Sequence, residues 1–369
     1  ALLLSVSAIG CMWTPQFLSE SSNGWIGATL DGAFSWLIVF RLIGGIGVGS
    51  TSVVAPIYIS EITLPENRGK MVSIYQLSIT LGILLAFLID WIVLNNAGDA
   101  AGIVSNEKVS FWRWMFVEEL WRGMFGTEIP IALLFFLLLF FTPESPRWLV
   151  TKNRIGEAKK IMIKVGGEEQ AEKEMAEILE MKHAKKGSIR ELLSPVLRVP
   201  FLIGVLLPMF SHLSGIAAIM YFAPNILNES IQSVESSFLG AVLVGIVNSA
   251  FTFIAILNIE KFGRRRLLLI GVVGAFLSLA GVGLLFVLGS KFVIIPLLFY
   301  VASFAFSYGP IVWVIISEIF PTNIRGLAVS MGSFSLMVTG FFITLTNPVL
   351  FESIKPGGTF FLYAALTLP

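Results

Sequence analysis

Two stretches of this 369-residue chain place an acid and a base at one interval: SEITLPENRG at 60–69 and SEIFPTNIRG at 317–326 align without a gap at an offset of 257. Glu61 precedes Arg68 as Glu318 precedes Arg325. Glu144 with Arg147 in PESPRWL, and Glu260 with Arg264, Arg265 and Arg266 in EKFGRRRL, repeat the pairing of signs. Opposite charges at helix ends can bridge neighbouring helices through charge-assisted hydrogen bonds and still reach water. That arrangement suits a latch that opens and closes; a row of merely solvated charges is the plainer reading.

Inside apolar sequence lie two more ionisable groups, Arg41 after the run Phe34 to Phe40, and Glu128 in MFGTEIPIALLFF. A charge within hydrocarbon costs from about 3 kcal/mol upward, and one that faces the bundle interior marks an ion or substrate path. The alternative is a side chain that snorkels to water. His212, in PMFSHLSGIAAIMYFAP, is able to bond a hydroxyl, carry a proton or satisfy a neighbouring carbonyl. Pro208, Gly215 and Pro224 in the same run predict an interrupted helix, which supplies free backbone groups and a hinge. Its second half, from Tyr221 and Phe222 onward, reads as a gate.

The elements that must position these residues are apolar helices. Hydrophobic residues make up 56% of the chain and charged residues 13%, against about 25% charged in soluble domains. Runs of about 20 apolar residues, enough to cross a bilayer, are placed near 1–13, 34–60, 70–94, 122–142, 196–223, 236–259, 267–289, 292–317 and 326–349, with a tenth beginning near Phe360. Within the second run, Gly45 and Gly49 in RLIGGIGVGS let helix backbones approach. A phosphate loop does not fit there, because GGIGVG has no preceding strand and no Lys-Ser/Thr end.

The net charge of +1 gives no basic excess toward nucleic acid, and Cys11 is the one cysteine, so no disulfide framework or cysteine metal cluster is expected. No cofactor is implied. HExxH spacing and ATP-hydrolysing motifs are missing from the sequence, which argues against an enzyme. Between the apolar halves a charged, helix-favouring segment intervenes, giving an expected organisation of a bundle at 1–142, a helical linker domain at 143–195 and a second bundle at 196–369. The links at 61–70, 143–198, 260–266 and 317–326 hold nineteen of the 25 Lys and Arg residues. By the positive-inside rule these links and the charged segment are cytoplasmic.

RLIGGIGVGS, SEITLPENRG, PESPRWL, KFGRRRL and YGPIVWVIISEIFPTNIRG together resemble the signatures of the sugar-porter family of the major facilitator superfamily, with a pattern similar to bacterial proton-coupled sugar symporters of the D-xylose type. The resemblance implies an all-α membrane fold of two pseudo-symmetric helix bundles. The helices here take the family's third to eleventh places and the start of the twelfth; the first two helices and the end of the twelfth are expected outside the sequence. It also implies roles. Gln76, Asn248 and Trp313 match sugar contacts, and Tyr221 stands beside them. Ser211 and His212 replace a Gln-Gln pair, Ile83 a Gln, Ala217 an Asn, and Leu336 with Met337 a Gln-Trp. Arg41 matches the partner of a protonatable Asp on the first helix, and Glu128 a carboxylate that tunes coupling.

A secondary carrier in the cell membrane follows, taking a monosaccharide or small polyol together with protons, working as a monomer in the bilayer without nucleic-acid partners. Two variants share the motifs: a uniporter without proton coupling, and a transporter-like sensor that binds without turnover.

Overall fold

The computed structural model describes residues 1–14, 32–64, 67–103, 115–116, 119–183, 189–321 and 324–367. Helices are the regular elements among them: α1 (Leu2–Met12), α2 (Gly32–Ile62), α3 (Arg68–Ile103), α4 (Leu120–Gly126), α5 (Glu128–Leu139), α6 (Pro146–Thr151), α7 (Ile155–His183), α8 (Ile189–Leu192), α9 (Arg198–Leu213), α10 (Ile216–Ile231), α11 (Val234–Phe262), α12 (Arg264–Val287), α13 (Ile294–Phe306), α14 (Tyr308–Ile319) and α15 (Arg325–Leu366). Eight stretches among the described residues are long and apolar enough to cross a membrane, with α1 a shorter apolar helix. These agree with the apolar runs of the sequence.

The chain divides into two compact units, Ala1–Ser52 with Leu88–Pro143, and Val53–Phe87 with Glu144–Pro369. In the first unit, small residues bring α1 and α2 together. Gly10 lies under the Phe40 ring, Gly44 faces Ser7, and a methyl group on Gly47 would stand 3.1 Å from Leu4. The expected close approach at Gly45 and Gly49 is therefore corrected to Gly44 and Gly47, since a Cβ at Gly45 or Gly49 meets nothing within 4 Å. Glycines at adjacent positions of a helix point about 100° apart, so the spacing alone did not select the packed face.

Arg122 closes the end of α1. It is 1% exposed, its Nη1 donates to the carbonyls of Met12 (2.9 Å) and Thr14, and its Nε donates to Glu119. The last carbonyls of a helix have no partner within it, and a cation there also meets the negative end of the helix dipole. Phe140 and Phe141, by contrast, expose 73% and 84% of their surface, which suits hydrocarbon surroundings.

In the second unit, α9 packs on α15, α12 on α13 and α15, and α11 on α10 and α13. Their shared core includes the fully buried Leu279, Leu297, Tyr300 and Phe360. Several spans are broken: Ser307 (φ −123°, ψ −84°) separates α13 from α14, and Lys355 (φ 62°, ψ 163°) interrupts α15. The helix expected to begin near Phe360 thus resumes just after Lys355 at Pro356, where a first-turn proline forfeits no hydrogen bond. The segment α6–α7 folds on its own apolar side chains, Leu149, Val150, Ala158, Met162, Ala171, Met175 and Ile178. Ser145 caps α6 by accepting from the Trp148 N–H, with Pro146 in the first turn.

Candidate functional site

The second unit brings α3, α11 and α14 together around residues that sequence matching selected. On α3, the Gln76 amide lies against Gly309 at the start of α14, where a methyl group on the glycine would stand 3.5 Å from Nε2. One position earlier, Tyr75 meets the edge of Trp313, with ring centroids 6.4 Å apart at 83°. Trp313 is 7% exposed and Asn248 5%. On α11, Gly245 touches α3, its missing Cβ 3.0 Å from the Leu84 Cα, and Asn248 follows one turn later. An amide with donor and acceptor beside an indole suits a ligand that offers hydroxyls and a C–H face.

His212 ends α9 with its ring laid across α15: a methyl group on Gly340 would be 2.9 Å from the imidazole Cδ2. Its Nδ1 is enclosed and reaches no hydrogen-bond partner among the described residues. No carbonyl of the described residues therefore satisfies that nitrogen. Ser211 beside it is buried, as are Ala217 and Leu336, whereas Met337 is exposed. Tyr221 exposes 73% of its surface, next to the irregular Phe222 (φ −114°, ψ 18°).

In the first unit, the Arg41 guanidinium sits 4.2 Å over the Phe125 ring, an aromatic face that attracts a cation. Arg41 and Glu128 are both exposed, Glu128 opening the first turn of α5. Both charges act on the buried Cys11 thiol of α1, so the two groups matched to coupling share one neighbourhood. Asp90 of α3 lies within electrostatic reach of Glu128. Sequence reasoning passed over Asp90, although an acid inside LLAFLIDWIVL was a readable signal.

The charges of the duplicated motifs form contacts that the motifs alone did not reveal. Glu318 Oε1 accepts from Arg264 Nη2 at 2.7 Å, and the same oxygen lies 3.6 Å from where a Cβ on Gly69 would stand. One carboxylate thus links the end of α14 to the start of α12 and lies beside the start of α3. Glu61 accepts from the Ser145 hydroxyl at 2.5 Å, tying the end of α2 to the cap of α6. Arg325 donates to the Phe320 carbonyl at 3.4 Å. Glu144 and Arg265 are exposed and Arg147 is half-buried, while the side chains of Arg68 and Glu260 lie outside the described residues. Farther along, Arg154 holds the Glu157 carboxyl below its usual range by a hydrogen bond.

The family model described as "Sugar (and other) transporter" matches residues 1–368. The chain belongs to this family. The D-xylose-proton symporter of Escherichia coli (strain K12) is 34% identical over 354 residues, which cover 95% of this chain and 69% of that protein. The arabinose-proton symporter of Bacillus subtilis (strain 168) is 35% identical over 338 residues, 90% of this chain and 70% of the relative. A solved structure of the proton:xylose symporter bound to 6-bromo-6-deoxy-D-glucose superposes with a TM-score of 0.81 at 32% identity, covering 100% of this chain and 76% of the other. This sugar-transporter family member is accordingly a multi-pass cell-membrane protein with the major facilitator fold, and the relatives it matches are transporters.

Tyr75 and Gly309 are site neighbours that the sequence reading missed. Tyrosine and glycine within apolar runs carry no signal of their own; the family pattern around Gln76 and YGPIVW was the available guide.

Proposed function

We propose that the protein carries a monosaccharide or related small polyol across the membrane by alternating access, in symport with protons. The observation that carries this reading is the Gln76 amide held against Gly309 with the Tyr75–Trp313 pair beside it. The amide bonds adjacent hydroxyls, and the indole covers a C–H face. Asn248 supplies a second amide from α11. Ser211, His212 and Tyr221 complete the site by family position.

Arg41, held over Phe125, and Glu128 form the coupling site: protonation of a carboxylate weakens its hold on the arginine and frees the helices to move. Residues 1–142 and 196–369 act as two rocking bundles, and 143–195 as the cytoplasmic linker between them. Glu318, bridged to Arg264 within its own bundle and lying beside Gly69 of the other, and Glu61, bonded to Ser145, close the cytoplasmic side until the bundles part. The monomer is the transporting unit, and no chemical conversion of the sugar takes place.

Uptake and counterflow in proteoliposomes, across pentoses, hexoses and polyols and with or without a pH gradient, test the proposal. Concentrative uptake that collapses with the gradient supports symport. Counterflow that ignores the gradient would leave a uniporter, and saturable binding without counterflow would leave a sensor.

A further inference from the structure

The break between α9 and α10 is held from two sides. Ser214 ends α9, and Gly215, at φ 84° and ψ 8°, precedes α10. The positive φ and the ring of Tyr363 both demand glycine there, because a Cβ would stand 2.5 Å from Tyr363 Cδ2. That ring is fixed in turn, its hydroxyl donating to Asn347 Oδ1 at 2.9 Å. From α13, the Tyr300 hydroxyl donates to the Ser214 carbonyl at 2.9 Å and lies 2.8 Å from Ser214 Oγ, which also reaches the Ser211 carbonyl at 2.6 Å.

Ser214, Tyr300 and Tyr363 are at most 1% exposed, so no bulk water replaces these bonds. A helix interruption frees carbonyls that normally accept from the next turn, and in hydrocarbon each must find another donor. Tyr300 is that donor for Ser214. The two hydroxyl protons have three acceptor contacts between them, so the Ser214 hydroxyl can turn from the Ser211 carbonyl to Tyr300 without leaving the Ser214 carbonyl bare.

We propose that Tyr300 is a positioning residue for transport: its hydroxyl pins the Ser214–Gly215 break, so that α10, with Tyr221 and Phe222, swings about a fixed point while α9, with His212, stays in place. The inference rests on the carrier reading but is measured without sugar. With the buried Cys11 replaced by serine, Asn225→Cys at an exposed position on α10 is the single thiol and reports the swing by its rate of labelling in the reconstituted protein. Glu235→Cys, exposed at the start of α11, is the control.

Tyr300→Phe should raise labelling at the Asn225 position about fivefold, the equilibrium factor of one ordinary hydrogen bond, and leave labelling at the Glu235 position unchanged. Ser214→Ala, which keeps the bond from Tyr300 to the carbonyl, should give a smaller rise. Where sugar counterflow is observed, Tyr300→Phe should change its rate with half-saturation kept within about twofold, as for an interaction that acts on the conformational step. Unchanged labelling in Tyr300→Phe overturns the pin, as does an equal rise at both positions, which would mean general loosening. If Tyr300→Phe does not accumulate in the membrane, Ser214→Ala decides alone, and its failure to alter labelling overturns the proposal. Absence of counterflow in the unmodified protein would instead remove the carrier reading and leave the labelling result standing.

Discussion

Replacing Gln76 by leucine tests the proposed sugar site at its best-defined point. The two side chains have similar volume, so the half-buried position on α3 stays filled and the Tyr75–Trp313 pair keeps its support. What disappears is one acceptor and two donors. An amide that grips two neighbouring hydroxyls makes two hydrogen bonds, each worth about 0.5–1.5 kcal/mol net, so the loss is about 1–3 kcal/mol and the dissociation constant should rise about 5- to 150-fold. Gly309→Ala provides the contrast. Its methyl group would stand 3.5 Å from Gln76 Nε2, an ordinary contact, and affinity should stay within about threefold of the original, less than the weakest loss of the two bonds together. Sugar binding is read by calorimetry on the purified protein. A change below about twofold in Gln76→Leu would refute the hydrogen-bonding role, because it falls under the net worth of even one such bond. Equal losses in the two variants would assign the effect to packing.

Other outcomes follow from the charges and the hinge. Arg41→Gln should abolish uphill accumulation driven by a pH gradient while sparing exchange; uphill transport at the original level would remove Arg41 from coupling. Glu318→Gln weakens the link to Arg264 and should shift the resting population toward the inward-open state, seen as faster labelling of cysteines near the cytoplasmic ends. Gly215→Ala should cost about 1–2 kcal/mol for a left-handed backbone and about 1–3 kcal/mol more if the displaced Tyr363 leaves a buried polar group unpaired. Thermal unfolding in lipid nanodiscs measures that loss.

The helices were legible because a bilayer demands long apolar runs, and the duplicated Glu61–Arg68 and Glu318–Arg325 spacing marked the charged ends. Which charges meet was not legible. Arg264 and Glu318 are 54 positions apart, and only the packing of α12 beside α14 brings them together. The glycine-rich α2 advertised close approach, yet its helix period left several glycine faces available, and α1 took Gly44 and Gly47. Tyr300 was hidden for another reason. A tyrosine in LLFYVASFAF reads as one more apolar residue until the carbonyl it satisfies is known, and that carbonyl is free only because Gly215 breaks the helix on the far side of the contact.

The family matches make the proposed sugar site uneven. In the proposed site, Gln76, Asn248 and Trp313 keep the residue types of matched sugar contacts on α3, α11 and α14, while Ala217, Leu336 and Met337 put small or apolar side chains at matched positions on α10 and α15. Of the replaced Gln-Gln pair, Ser211 is short and buried, leaving His212 as the large polar side chain at those positions. A hydroxyl that loses water without gaining a partner costs about 1–3 kcal/mol on the protein scale. Sugars should therefore be favoured when their hydroxyls cluster toward the α3–α14 side and their opposite side carries few. Competition by singly deoxygenated analogues measures this directly. Removing a hydroxyl that meets Gln76 or Asn248 should weaken inhibition about 5- to 10-fold, whereas removing one that faces Ala217, Leu336 and Met337 should leave inhibition equal or stronger. Uniform losses at every ring position would mean that both sides bond the sugar equally and that the apolar replacements do not line its site.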